Sequence, residues 1–219
     1  MKTALIALCV LAVLAVAAVV ACRMAARRDT SATRPPAAKP QGRVAIVFYS
    51  QSKVQNTALA AAWIRKHAGG DLFPLEMAEP YPEPYGKTLE AARKDIESDA
   101  RPALKALPDL SGYDVVFVGS PVWYGTFAPP FATFADAAQL DSKTVAPFCV
   151  HGGGGAGRFF ADVRKAFPGA RVLDGLALRG SNQIERRLGT GLTVHHTEDD
   201  IVAWLDRIFA NQPQHGENR

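Results

Sequence analysis

Residues 113–125 read YDVVFVGSPVWYG. The first seven form a near-continuous apolar run, the pattern of a parallel strand buried on both faces. The remainder is small, proline and aromatic, closed by Gly125. In open α/β sheets, ligands bind beyond the carboxyl ends of the strands, where strand order reverses. Pro121, Val122, Trp123, Tyr124 and Gly125 are therefore candidate site residues. Two large aromatics in such a loop offer a flat face with polar edges. The competing reading is a plug over the core.

The same alternation extends in both directions. Strand-like runs occupy 43–50 (RVAIVFYS), 71–77, 113–119, 144–150 (TVAPFCV) and 171–178. Helix-like runs occupy 56–67, 86–98, 129–138, 157–167 and 197–210. Gly69 and Gly70 stop the first helix, and Thr197 with Asp200 has the spacing of a capping box. Pro74 marks the second strand as an edge, and Pro147 is unexpected within the fourth. Five strands alternating with five helices predict an α/β fold, a doubly wound five-stranded parallel sheet with right-handed crossovers.

Two further loops stand where chemistry is expected. After the first strand comes SQSKVQNT at 50–57. Ser50, Ser52, Asn56 and Thr57 there combine hydroxyls and an amide with the N–H groups of a helix start, the composition of an anion site. Ordinary capping by Asn56 or Thr57 is the alternative. After the fourth strand comes HGGGGAGR at 151–158. His151, Gly152, Gly153, Gly154 and Gly157 let the backbone approach a flat ligand and turn N–H groups toward it. The GxGxxG match in this segment is weak, because a dinucleotide fingerprint belongs to the first strand–helix turn.

Charge separates the chain into two parts. Residues 1–42 hold six basic groups and one acid; residues 43–219 hold 19 basic and 20 acidic groups, a net of −1. The domain thus lacks the concentrated basic face of a nucleic-acid binder. Cys149 is the only cysteine after Cys22, which excludes a disulfide within the domain. No metal-ligand spacing, Ser-His-Asp set or carboxylate pair is legible, so no catalytic residue is assigned.

Residues 3–22 (TALIALCVLAVLAVAAVVAC) carry no charge and match a hydrocarbon span of about 30 Å as a helix. Residues 1–22 read as a signal peptide ending in the lipoprotein-like box Val19–Cys22, or as an uncleaved anchor helix. The two place the domain on different sides of the membrane: Arg23, Arg27 and Arg28 favour a cytoplasmic flank. Residues 23–42 form a basic, Pro-rich linker, and 43–219 the domain.

Taken in order, the motifs resemble the flavodoxin family, in the branch with a W-x-G second loop and a YPEPY-like segment. They are VFYS at 47–50 with Asn56-Thr57, YPEPY at 81–85, ARPA at 100–103, GSPVWYG at 119–125 with Pro129-Pro130, PFCVH at 147–151, and GLALRG at 175–180. The resemblance implies strand order 2-1-3-4-5 and a flavin mononucleotide (FMN) cofactor. It implies that Ser50, Ser52, Asn56 and Thr57 hold the phosphate, and that Trp123 and Tyr124 stack on or border the flavin ring. Backbone groups of Pro121–Gly125 and His151–Gly157 would line the ring edge. The implied activity is electron transfer to a redox partner, or FMN-dependent reduction of a small acceptor. The first loop is longer than the family's S-x-T-G-x-T pattern and lacks its glycine. A flavodoxin-fold binding module that has lost FMN is the alternative, and a nicotinamide-dinucleotide protein using the glycine loop a third.

Overall fold

Six consecutive buried residues, Val44–Tyr49, form β1 at the centre of the domain. A computed structural model describes residues 38–51, 55–180 and 198–210. The hydrophobic segment, most of the linker, Ser52 and Thr197 lie outside the described residues. Among the described residues, no helix is long and apolar enough to cross a membrane.

From β1 the chain runs through α1 (Asn56–Ala68), β2 (Asp71–Leu75), α2 (Tyr85–Glu97), β3 (Val115–Trp123) and β4 (Thr126–Phe127). It continues through α3 (Pro129–Ala137), β5 (Thr144–His151), α4 (Phe159–Ala166), β6 (Arg171–Val172), β7 (Leu176–Arg179) and α5 (Glu198–Phe209). The parallel sheet has the order β2-β1-β3-β5-β6, with β7 also paired to β5. Counting β6 and β7 as two halves of one strand, this is the expected 2-1-3-4-5 order. Pro74 lies on β2, the edge strand, as its missing N–H requires.

Side-chain alternation along the strands builds two cores. Ala45, Val47 and Tyr49 join Val116, Val118, Val145 and Cys149 on the face covered by α2, α3 and α4. Val44, Ile46 and Phe48 join Val115, Phe117, Ala146 and Phe148 on the face covered by α1 and α5. The central strands must be apolar on both faces, which explains why 113–119 reads as an unbroken run.

Two expectations need correction. The fifth strand is not continuous over 171–178; it breaks at 173–175 between β6 and β7. The carbonyls of Val145 and His151 accept from Leu173 and Gly180, so the odd-numbered residues of β5 direct their backbone groups to this side. Pro147 shares that parity and has no N–H to give. The ladder therefore fails opposite the break, and the Trp204 indole donates to the Asp174 carbonyl there at 2.8 Å. The second correction concerns 120–123, which is strand rather than loop. Ser120 and Pro121 continue in register with Cys149 and Val150 of β5, and Val122 and Trp123 pair antiparallel with β4.

Gly119 fixes the closeness of β3 and β5. A Cβ there would overlap the ring of Phe148, which is fully buried and has no room to yield. Gly119→Ala is expected to cost about 1–3 kcal/mol by overpacking, seen as a lowered urea midpoint with an unchanged slope.

Candidate functional site

The three expected loops meet at the carboxyl ends of β1, β3 and β5. The first ends in Gln55, whose φ of 53° lies in the left-handed region. A compact phosphate loop commonly places glycine at such a position, because a Cβ makes it costly. Gln55 supplies the conformation without glycine, so the glycine-free sequence does not forbid an anion nest. The N–H groups opening α1 have no intrahelical acceptor, and its first turn carries no acid. An anion at this helix start is favoured by the helix dipole. Thr57 is buried and Asn56 half-buried.

Asn56 also joins the loops. Its side chain packs against Gly180, so closely that a Cβ on Gly180 would crowd the amide nitrogen. Gly180 in turn donates its N–H to the carbonyl of His151 at 2.9 Å. At the other end of the glycine run, Gly157 (φ +55°) lies directly on the backbone of Gly125, and the Arg158 N–H donates to the Gly125 carbonyl at 2.7 Å. Contacts thus pass from Asn56 through Gly180, His151 and Gly157 to Gly125. Gly152 and Gly154 lie within this run, and a Cβ on either would meet open space.

The third loop is a two-residue hairpin. Trp123 pairs with Thr126, and Tyr124 (φ 49°) with Gly125 (φ 82°) makes the turn. Both central residues at positive φ define a type I′ turn, which strongly prefers Asn or Gly over a bulky residue. Tyr124 is thus held in a strained conformation with 49% of its surface exposed. Strain of this kind at a loop tip points to function. Its hydroxyl donates to the Leu89 carbonyl at 3.0 Å. The Thr126 hydroxyl donates to Asp162 at 2.5 Å, and Arg158 donates to the same carboxylate oxygen at 2.9 Å, which pins the hairpin to α4.

Trp123 departs from the expectation of a ring-facing platform. Its side chain points into the core and is 5% exposed. It meets Tyr49 edge-on at 5.9 Å and Tyr81 at 5.7 Å. Trp123 packs in the same core as Val116 and Val118, although strict alternation along β3 would turn residue 123 to the other face. The open aromatic surface is that of Tyr124 and of Tyr85, which is 49% exposed. Burial raises the Tyr85 hydroxyl above its ordinary range, while a hydrogen bond with the Trp123 indole works the other way. Burial raises the Tyr81 hydroxyl too, reinforced by its 2.6 Å bond to Asp95. Tyr49 is held protonated by burial alone.

The structure therefore brings Asn56, Thr57, Tyr124, Gly125, His151 and the glycines together around one sheet end. Ser50, Pro121 and Val122 border the same end, and Ser52 lies outside the described residues. Sequence reasoning missed Gln55, Tyr85, Gly180 and Arg179, the last being the register partner of His151 on β7. Tyr85 belonged to the quoted YPEPY motif, and Gly180 and Arg179 to GLALRG, so the signals were present. Cys149 is buried, its thiol pushed up to about 12, which makes it a packing residue and a poor nucleophile. Among the described residues, no His, Cys, Asp and Glu group could hold a metal.

A doubly wound sheet with an acid-free helix start, a glycine-rich loop and an exposed tyrosine at its carboxyl end defines a flavodoxin-like domain. The chain belongs to the flavodoxin family, whose model matches residues 43–207. Among solved structures it is similar to a protein of Bacteroides eggerthii provisionally assigned as a flavoprotein, with 27% identity, 77% of this chain and 98% of that one covered, and a TM-score of 0.63. A second, from Bacteroides uniformis, gives 22% identity, 69% and 99% coverage and a TM-score of 0.58. A flavoprotein of Lactobacillus acidophilus, solved in complex with FMN, gives 24% identity, 68% and 99% coverage and a TM-score of 0.54. No curated protein matches the chain.

Proposed function

We propose that this domain binds FMN and uses it to transfer electrons to a redox partner or a small acceptor. The observation that carries the proposal is the convergence of an acid-free helix start with a glycine loop and an exposed aromatic at one sheet end. The residues fit the group. The N–H groups after Gln55, with Asn56 and Thr57, hold the phosphate by charge-assisted hydrogen bonds. The glycine run and Gly125 bring backbone N–H groups to the ring edge, and Tyr124 covers its face. Bound FMN supplies one- and two-electron chemistry, and the protein sets its potential by stacking, hydrogen bonding and exclusion of water. The FMN complex of the Lactobacillus acidophilus relative supports this reading.

Calorimetric titration of the full-length chain in mild detergent with FMN and with riboflavin tests it. FMN is expected to bind more tightly, because only FMN carries the phosphate for the helix start. Equal affinities would remove the phosphate role of the first loop, and no binding by either would leave a flavodoxin-fold module without flavin. Tyr124→Ala is expected to weaken FMN binding by about 1–3 kcal/mol, by analogy with base–aromatic stacking. An unchanged dissociation constant for that variant would exclude Tyr124 from the stack.

The near-neutral charge of the domain lacks the acidic field that steers mobile electron carriers to basic partners, which supports a small acceptor or a membrane-local partner. We further propose that the 3–22 segment holds the domain at a membrane, either as an anchor helix or through lipidated Cys22. Metabolic labelling with palmitate separates the two: a label that Cys22→Ala abolishes supports lipidation, an unlabelled membrane-bound wild type supports the helix, and soluble wild type contradicts both.

A further inference from the structure

His151 ends β5, and its side chain turns back onto the loop that follows. Its Nδ1 lies 3.1 Å from the Gly153 nitrogen and 3.2 Å from the Gly155 nitrogen, and both backbone N–H groups donate to it. A ring nitrogen accepts only while it carries no proton, so this arrangement requires neutral imidazole with its proton on Nε2. Gly153 (φ +124°) and Gly155 (φ +77°) hold conformations that residues with a Cβ rarely adopt. Glycines lose the most conformational freedom when ordered, so a run of them needs a tether to keep one shape.

We propose that His151 is a positioning residue for the cofactor: its neutral ring ties the glycine loop into the shape that receives the flavin edge, and its protonation releases the loop and weakens flavin binding. The flavin part rests on the FMN reading above; the tether does not. Protonation from solvent turns Nδ1 into a donor that faces two N–H donors, so both bonds are lost together. Arg179 is the register partner of His151 on β7, and its Nε lies 3.8 Å from where a Cβ on Gly153 would stand. Its guanidinium opposes a second positive charge there. The other charged groups nearby in sequence, Arg158 and Asp162, are paired with each other at the start of α4, and the buried Cys149 stays protonated on β5.

The test uses the full-length chain in detergent micelles, with ring-labelled histidine, between pH 5 and 8. Without FMN, long-range nitrogen–proton spectra at pH 8 are expected to show His151 protonated on Nε2 alone. The Gly153 and Gly155 amide signals are expected to move in step with the titration of that ring. A proton on Nδ1 at pH 8, or glycine amides indifferent to the ring, would overturn the tether. With FMN, the dissociation constant is expected to rise about tenfold as His151 becomes protonated, the effect of losing two modest hydrogen bonds. H151N, whose side-chain oxygen accepts but does not titrate, is expected to flatten the profile and to bind FMN better than H151F, which offers a ring without an acceptor. A pH dependence in H151N equal to that of wild type would overturn the link to the cofactor. Glycine amides that follow the ring while FMN fails to bind at any pH would confirm the tether and overturn the FMN reading.

Discussion

Trp123→Ala is expected to destabilise the domain by about 3–5 kcal/mol, the usual cost of removing a buried tryptophan. The indole is nearly enclosed, touches Tyr49 and Tyr81 edge-on, and ends the strand on which the hairpin stands. Removing it leaves a cavity beneath the turn that carries Tyr124. The urea midpoint is expected to fall steeply, and the remaining folded protein to bind FMN less well because the hairpin has lost its support. Trp123→Phe keeps most of the volume and is expected to recover most of the stability. A small change in the midpoint of Trp123→Ala, together with a large loss of FMN affinity, would contradict the packing role and return Trp123 to the flavin face.

Gly157→Ala is the second large effect. A residue with a Cβ at φ +55° costs about 1–2 kcal/mol. In addition, the new methyl would overlap the carbonyl of Gly125, which is backbone and cannot rotate away. The third and fourth loops must then separate, and the bond from Arg158 to Gly125 is strained. FMN affinity is expected to drop more than tenfold, since about 1.4 kcal/mol already corresponds to a factor of ten. Gly86→Ala is the control: it lies in α2, where an added methyl meets open space. Calorimetric titration of both variants checks the contrast. Gly157→Ala binding FMN as tightly as wild type would show that the two loops need not touch.

Much of this arrangement was legible in the sequence. The runs at 43–50 and 113–119 announced strands buried on both faces, because central parallel strands tolerate few polar residues. Pro74 announced an edge. The loops were found because ligand sites in this architecture follow strand ends. What escaped depended on partners far along the chain. The break in the last strand follows from the backbone parity of Pro147, which register alone reveals. The local composition around Trp123, rich in Gly, Ser and Pro, reads as loop, and so concealed that β3 runs four residues beyond Gly119 and carries Trp123 into the core. The missing glycine of the first loop suggested a lost phosphate nest, yet Gln55 takes the left-handed conformation itself. No propensity rule assigns that to a glutamine.

In the proposed function these loops together form a flavin site. An absorbance spectrum of the purified full-length chain in mild detergent, taken before and after incubation with FMN and removal of free ligand, tests it most directly. The absorption bands of oxidised flavin are expected to travel with the protein, at close to one FMN per chain. A colourless protein after incubation, still folded by circular dichroism, would contradict it.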